Sequence, residues 1–433
     1  MRLRDSRTRE LCEIVPGSDG RIGIYVCGPT VYGPIHVGNA RPYVVFQLIK
    51  RYLEWRGQAV TLVENVTDVN DKIYRAARER GVSSDRLARE MTAAYVADTD
   101  RLGIGRPDLE PLATETVPEI VALIGELVAG GHAYEAGGDV YFSVRSYPEY
   151  GRLSGRDPDQ QLEGARVEPG EHKRDPLDFV LWKANKSDED TAWDSPWGWG
   201  RPGWHIECSA MAERWLGREF AVHGGGRDLI FPHHENEVAQ SCAAGRPFAR
   251  VWAHNGMLRL AGEKMSKSIG NIDLLRDALD RWGAETLILL LLRAHYASPL
   301  DYGERALEQA RTTCDGLRNQ LRAGSGGADP KLRAGVVAAL DDDFNTPRAL
   351  ALLFEAPPEA SGTVAELLGV LGLGGLAHEP AIPAEVEQLA ARRQDARRRR
   401  DFVESDRLRD RIAELGWEVR DTAGGHRIYR RAG

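Results

Sequence analysis

The run Ile22-Gly23-Ile24-Tyr25-Val26 is apolar and rich in strand-forming residues, and it ends on Cys27-Gly28-Pro29-Thr30, where proline and glycine stop a regular element. Arg41 to Gly57 follows with helical periodicity. Ala59-Val60-Thr61-Leu62-Val63 is then a second β-branched run, closed by Asn65-Val66-Thr67-Asp68. Strand, glycine turn, helix and strand open a parallel sheet, because a helical crossover brings the chain back to pair in the same direction. Ligands of such sheets bind beyond the carboxyl ends of the strands, where Cys27, His36 and Thr67 fall. The expected class is α/β, with a Rossmann-like parallel-sheet domain at its head.

A chain of 433 residues is too long for one ordinary core, so two to four domains are expected. No apolar stretch approaches the roughly 20 residues that span a bilayer, and the charged start Met1-Arg2-Leu3-Arg4-Asp5 lacks the apolar run of a secretory signal. The expectation is a cytoplasmic protein without membrane contact. Five scattered cysteines, an odd number, argue for reduced thiols over a disulfide framework. The net charge of −8 disfavours indiscriminate nucleic-acid binding, yet a local basic face is compatible with it. From Ala391 to Arg411 nine arginines stand against five acidic residues, including the run Arg397 to Arg400. Charge runs of this kind are also usual on solvated amphipathic helices.

Residues 115 to 200 hold an expected helix near Val117 to Gly130 and a strand at Asp139 to Val144, followed by a polar stretch rich in Pro and Trp through Trp182 and Trp193 to Trp199, which together read as an insertion. The sheet resumes at Phe220-Ala221-Val222-His223, with Gly224-Gly225-Gly226 expected as a tight turn and a helix from Glu235. Further helices are expected at Asp273 to Arg281 and Glu304 to Leu321. Breaks follow at Ala323 to Ala328 and at Ala356 to Gly362. One long helix from Glu385 to Leu415 and a hairpin from Trp417 complete the chain.

Two patterns point to chemistry. Lys264-Met265-Ser266-Lys267-Ser268, between Gly262 and Gly270, sets two ammonium groups three residues apart on a hydroxyl-rich loop, which suits a polyphosphate; alone, such a loop is also an ordinary exposed turn. His233 and Glu237 sit one helical turn apart, and Cys208 and Cys27 lie upstream. Two thiolates, an imidazole and a carboxylate suit zinc, while spacing leaves open that the cysteines are small buried hydrophobes.

The blocks Tyr25 to Tyr32, His36-Val37-Gly38-Asn39, Gly203 to Met211, His223 through Gln240 and Lys264 to Asn271 resemble, in order and spacing, those of the cysteinyl-tRNA synthetases, which are class I aminoacyl-tRNA synthetases with HIGH and KMSKS signatures. The resemblance covers essentially the whole chain. It implies ATP-dependent activation of L-cysteine and its transfer to tRNA(Cys). It implies zinc held by Cys27, Cys208, His233 and Glu237, and magnesium accompanying ATP. His36, Lys264 and Lys267 would be catalytic. Thr30, His36, Gly38, Gly224, Gly225, Gly226, Asp228 and Lys267 would bind ATP, and Cys27, Thr67, Trp204 and His223 would line the cysteine pocket. A monomer is expected, divided into a catalytic first half (1–114), a connective insertion (115–202), a catalytic second half with the lysine loop (203–272), a helical stem-contact domain (273–325), a DALR-like helical domain (326–384) and an anticodon-binding region (385–433), where Trp417 would stack on a base.

Two departures stand out. Asn39 replaces the second histidine of the first signature, and the helical stretch after Pro347 is broken by Pro357-Pro358 and is short. Two other readings share these motifs: a zinc-dependent ligase joining cysteine to an amino sugar, which has no use for the C-terminal tail, and a zinc-stabilised nucleotide-binding regulator without catalysis.

Overall fold

The computed structural model describes residues 1–157, 172–260, 263–264, 272–378, 382–422 and 425–430. Four parallel strands, β1 (Arg21–Val26), β2 (Ala59–Glu64), β3 (Glu219–Gly226) and β4 (Phe248–Asn255), pair in the order β4-β3-β1-β2. Their near-continuous apolar character follows from burial on both faces. Ile24, Val26 and Leu62 pack with Val44, Phe46 and Leu48 of helix α1 (Val37–Trp55). On the opposite face Tyr25, Cys27 and Val63 join Cys208, Met211 and Ala212 of helix α2 (Trp204–Leu216). The chain leaves β1 to one side to form β2 and later returns on the other side to form β3. The carboxyl ends of β1 and β3 therefore flank a topological switch point, the crevice where such sheets take ligands.

The triple glycine is not the expected turn. Gly224, Gly225 and Gly226 complete β3, facing Ala253, His254 and Asn255 of β4. Close packing is what requires glycine there: a Cβ on Gly224 would lie 2.3 Å from Phe46 Cζ.

Among the described residues of 115–202, the helix Val117–Ala129 lies beside an antiparallel sheet of Ala133–Ala136, Asp139–Phe142, Phe179–Ala184 and Gly200–Pro202, sharing a core with Ile206 and Ala210 of α2. Ile120, Phe142, Leu181 and Trp182 belong to that core, and the last strand of the sheet runs directly into α2. Beyond 272 the helices Leu275–Trp282, Ala284–Leu292, Glu304–Ala323, Pro330–Asp341, Thr346–Phe354 and Ser361–Val370 contribute Leu289, Leu340, Leu350 and Leu367 to the same large core as α1.

The single C-terminal helix expected at Glu385 to Leu415 is two helices, Ala384–Arg398 and Phe402–Glu414. Between them Arg400 takes a positive φ of 61°, and Asp401 caps the second helix by accepting from Glu404 N at 3.1 Å. Four adjacent arginines followed by a capping aspartate outweigh the helical periodicity around them. With the hairpin Trp417–Thr422 and Gly425–Arg430 these helices enclose Val386, Leu389, Leu408 and Ile412. Trp417 belongs to this core, only 7% exposed, so it cannot offer a face for base stacking as expected. Among the described residues no helix is long and apolar enough to cross a membrane.

Candidate active site and metal centre

Four elements meet at the carboxyl end of β1. Cys27 follows β1, Cys208 faces it from α2, and His233 and Glu237 come from the turn into helix α3 (Glu235–Ala243). Cys27 Sγ lies 3.6 Å from Cys208 Sγ and 3.4 Å from Glu237 Oε1, and His233 Nε2 lies 3.1 Å from the same carboxylate oxygen. One ligand atom from each of the four falls within 4.8 Å of every other, and all four residues are buried. The one-turn spacing of His233 and Glu237 is realised although Phe231, just before, breaks the helical backbone.

A second histidine layer surrounds this group, and apart from His223 it had no signal in the sequence. His205 Nδ1 is 2.9 Å from His233 Nδ1, His234 Nδ1 is 2.7 Å from His254 Nε2, and Ser6 Oγ is 2.7 Å from His254 Nδ1. His223 Nε2 lies 2.8 Å from Glu237 Oε2, so His223 and His234 with Cys27 and Glu237 form an overlapping candidate set. The set with two sulfurs is the one chemically matched to a borderline-soft ion. Burial pushes the Cys27 thiol well up, aided by Cys208 and Glu237, and raises that of Cys208 as well. Burial likewise holds His233 and His234 well below the ordinary imidazole value and lowers His205 and His254 to about 3. Thiols and imidazoles are thus kept neutral by desolvation, and a cation placed among them is what draws the thiols to thiolate. The donor set fits zinc.

Beside it opens a cleft of about 630 Å³, lined by Cys27 to Thr30, His36, Gly38, Asn39, Trp204, Gly226 and Asp228. The ring of Trp204 stacks on His233 at 4.2 Å. Gly28 is obligatory, since a Cβ there would lie 1.8 Å from the carbonyl oxygen of Asn65. Thr30 and Thr67 form an isolated parallel bridge, and Thr67 is buried behind it. His36 precedes α1, and Asn39, which replaces a signature histidine, accepts from the His36 amide at 3.3 Å and so closes the first turn. At that helix start the Val37 amide donates to the Asp273 carbonyl at 3.0 Å and the Asn39 amide to the His36 carbonyl at 2.9 Å. Gly225 packs against His234, while Gly226 and Asp228 reach the cleft. His223 is fully buried, stacked 4.3 Å from Trp252. Lys264 closes a two-residue strand paired with Arg259, and Lys267 lies outside the described residues.

Arg41, which no motif marks, is buried in α1 and donates to the carbonyls of Gly256 at 2.6 Å and Ser298 at 2.9 Å, with longer bonds at 3.4 Å to Met257 and His295. It ties the start of α1 to the segment that enters the lysine hairpin. In the C-terminal unit, Phe402 and Val403 are exposed at the start of their helix, adjoining the arginine run.

Residues 13–312 match the model for tRNA synthetases class I (C) catalytic domain, residues 335–361 that for a DALR domain, and residues 379–431 that for a cysteinyl-tRNA ligase anticodon binding domain. The chain is 44% identical to a cysteine-tRNA ligase of Rubrobacter xylanophilus over 472 aligned residues, covering 100% of each. To that of Halorhodospira halophila it is 47% identical, covering 98% of each. Among solved structures it resembles methionyl-tRNA synthetase of Mycobacterium tuberculosis bound by methionyl-adenylate, with a TM-score of 0.61, 16% identity and coverage of 81% of this chain and 84% of that one. The last likeness shows the class I synthetase fold.

Proposed function

The chain belongs to the cysteine-tRNA ligase family, and we propose that the buried group of Cys27, Cys208, His233 and Glu237 is what makes it choose cysteine. The enzyme activates L-cysteine with ATP and transfers it to tRNA(Cys). A ligase acting on an amino sugar is not favoured, because an anticodon-binding model matches 379–431. Cys27, Cys208, His233 and Glu237 would hold one zinc ion, which would supply a sulfur-preferring Lewis acid for the substrate thiol. Serine offers only a hard, weakly acidic hydroxyl, so sulfur preference replaces the need for an editing domain.

In the activation step a carboxylate oxygen of cysteine attacks the α-phosphorus of ATP. The new O–P bond forms as the bond to the pyrophosphate oxygen breaks, and negative charge grows on the departing group. Thr30, His36 and Gly38 support the phosphates, while Lys264 and Lys267 neutralise the pyrophosphate and magnesium accompanies the nucleotide. Gly224 to Gly226 and Asp228 form the floor under adenosine. Thr67, Trp204 and His223 bound the amino acid. Residues 1–114 and 203–272 make up the catalytic domain around the insertion at 115–202. The helices of 273–325 and 326–384 contact the tRNA stem, and 385–433 binds the anticodon. There Phe402 is the exposed aromatic beside the arginine run, suited to stacking on an unpaired base. The enzyme works as a cytoplasmic monomer.

The single observation behind the metal reading is the gathering of two thiols, an imidazole and a carboxylate from distant segments at mutual distances within 4.8 Å. Replacing Cys208→Ser is expected to remove both bound zinc and cysteine-dependent ATP-pyrophosphate exchange. A variant that keeps its metal and its full exchange rate overturns the assignment.

A further inference from the structure

One stretch of the cleft wall has no part in the cysteine and nucleotide sites. It consists of Tyr32 and one face of the helix Asp71–Arg80, formed by Lys72, Arg75, Ala76 and Glu79 at helical spacing. Lys72 and Arg75 are exposed, and among the described residues neither has a carboxylate partner. Lys72 Nζ stands 5.5 Å from the centroid of the half-buried Tyr32 ring, which steadies it toward the cleft. The carboxyls of this wall do not compete for the cations: Glu79, at the C-terminal end of the face, pairs with neither, and Glu64 accepts from the Tyr95 hydroxyl at 2.6 Å. The helix itself is anchored by other charges. Asp71 pairs with Lys183 at 2.7 Å and with Arg201, and Arg78 pairs with Asp188 at 2.9 Å, all three partners lying in the insertion.

Topology separates these cations from the nucleotide. The helix follows β2, and the strand order β4-β3-β1-β2 puts it across β1 from Gly226 and Asp228, which follow on β3. Two strand spacings, roughly 10 Å, lie between β2 and β3. A cysteinyl adenylate stretched from Cys27 to the floor at Gly226 occupies the β1 and β3 side and leaves the β2 side open. The ribose that accepts cysteine must approach from that side. We infer that Lys72 and Arg75 hold phosphodiester groups of the 3′-terminal single strand of tRNA as it enters over β2. Such contacts set the position of a strand without reading its sequence, and an ammonium beside a guanidinium suits them. The inference rests on the tRNA charging proposed above and adds to it the place where the strand is gripped.

The test uses zinc-loaded full-length enzyme, tRNA(Cys) and an RNA hairpin that carries only the acceptor arm. Lys72→Ala and Arg75→Ala are each expected to lower single-turnover transfer from bound adenylate about 10-fold at limiting tRNA. Cysteine-dependent ATP-pyrophosphate exchange should keep its KM for ATP and for cysteine within about 2-fold, which also shows that the variants fold. Each variant should flatten the fall of log hairpin affinity with log salt by about 0.7, the slope of one single-strand phosphate contact, and a change of shape alone leaves that slope in place. Arg75→Lys keeps the charge and is expected to keep the slope. Unchanged transfer or an unchanged slope overturns the inference. A KM for ATP raised as much as transfer falls overturns it too, because the cations would then serve the phosphates of the nucleotide. Failure of the charging reading shows up separately, as no cysteine-dependent exchange by the wild-type enzyme; the salt slope of hairpin binding then decides alone.

Discussion

The crevice at the switch point and the C-terminal unit handle charge in opposite ways. Around Cys27 the polar groups are fully buried and bonded mostly to one another, with desolvation holding the thiols and most of the histidines neutral. In the C-terminal unit most of the ions stay at the surface in local pairs, such as Arg407 with Glu404 and Arg411 with Glu414, with Arg393 the buried exception. The difference follows from the ligands. One small thiol must be told from one small alcohol, which takes a dry, shaped site, whereas a long polyanion is met by exposed cations whose individual pairs contribute little.

The sharpest way to break that contrast is to ask each region for the other's function. In wild-type enzyme the preference for cysteine over serine in pyrophosphate exchange is expected to be about 10⁴-fold. It should collapse in Cys208→Ser and be untouched by any change in the C-terminal unit. Removing residues 382–433 should instead lower tRNA charging about 100-fold or more and leave exchange within about 3-fold, because only the phosphate and base contacts are lost. Equal losses in the two assays would erase the distinction between the regions.

Smaller effects sharpen it. Glu64 is buried at the cleft edge, accepts from the Tyr95 hydroxyl at 2.6 Å, and is raised by burial from 4.5 to about 8. The folded chain keeps this proton where the unfolded chain has released it, so stability is lost as pH rises between those values. Glu64→Gln should flatten the decline between pH 5 and 8, a difference on the order of 2 to 4 kcal/mol in urea unfolding. At the other end, Arg393 donates to both oxygens of Asp421, at 2.8 and 3.1 Å. Because Asp421 is half-exposed while the Arg393 side chain is buried, Arg393→Ala loses packing as well as the pair and should cost roughly 1 to 3 kcal/mol, read as faster amide exchange confined to the C-terminal unit.

The parallel sheet was readable because β1, α1 and β2 are contiguous and each has an undiluted period. The metal group was readable as residue types, although spacing alone left Cys27 and Cys208 as ordinary core thiols. What remained hidden depends on contacts across the chain. His205, His234 and His254 become a layer only when α2, α3 and β4 converge, and Lys72 and Arg75 look like ordinary helix charges until their face is seen to line the cleft. The glycine run was misread because glycines that admit a neighbouring ring look, in sequence, like glycines that permit a turn. The break at Arg400 was missed since helical periodicity continues on both sides of it.

The Arg41 clamp has an implication for how such a chain can vary. One guanidinium fixes the start of α1 against backbone more than two hundred positions later. Registration of the two nucleotide-handling halves is therefore set by a rivet through the middle of the molecule, independent of the path that joins them. Surface loops of the insertion, which lies between the riveted points and away from the strands of the parallel sheet, can therefore lengthen or shorten while the clamp holds the start of α1 in place.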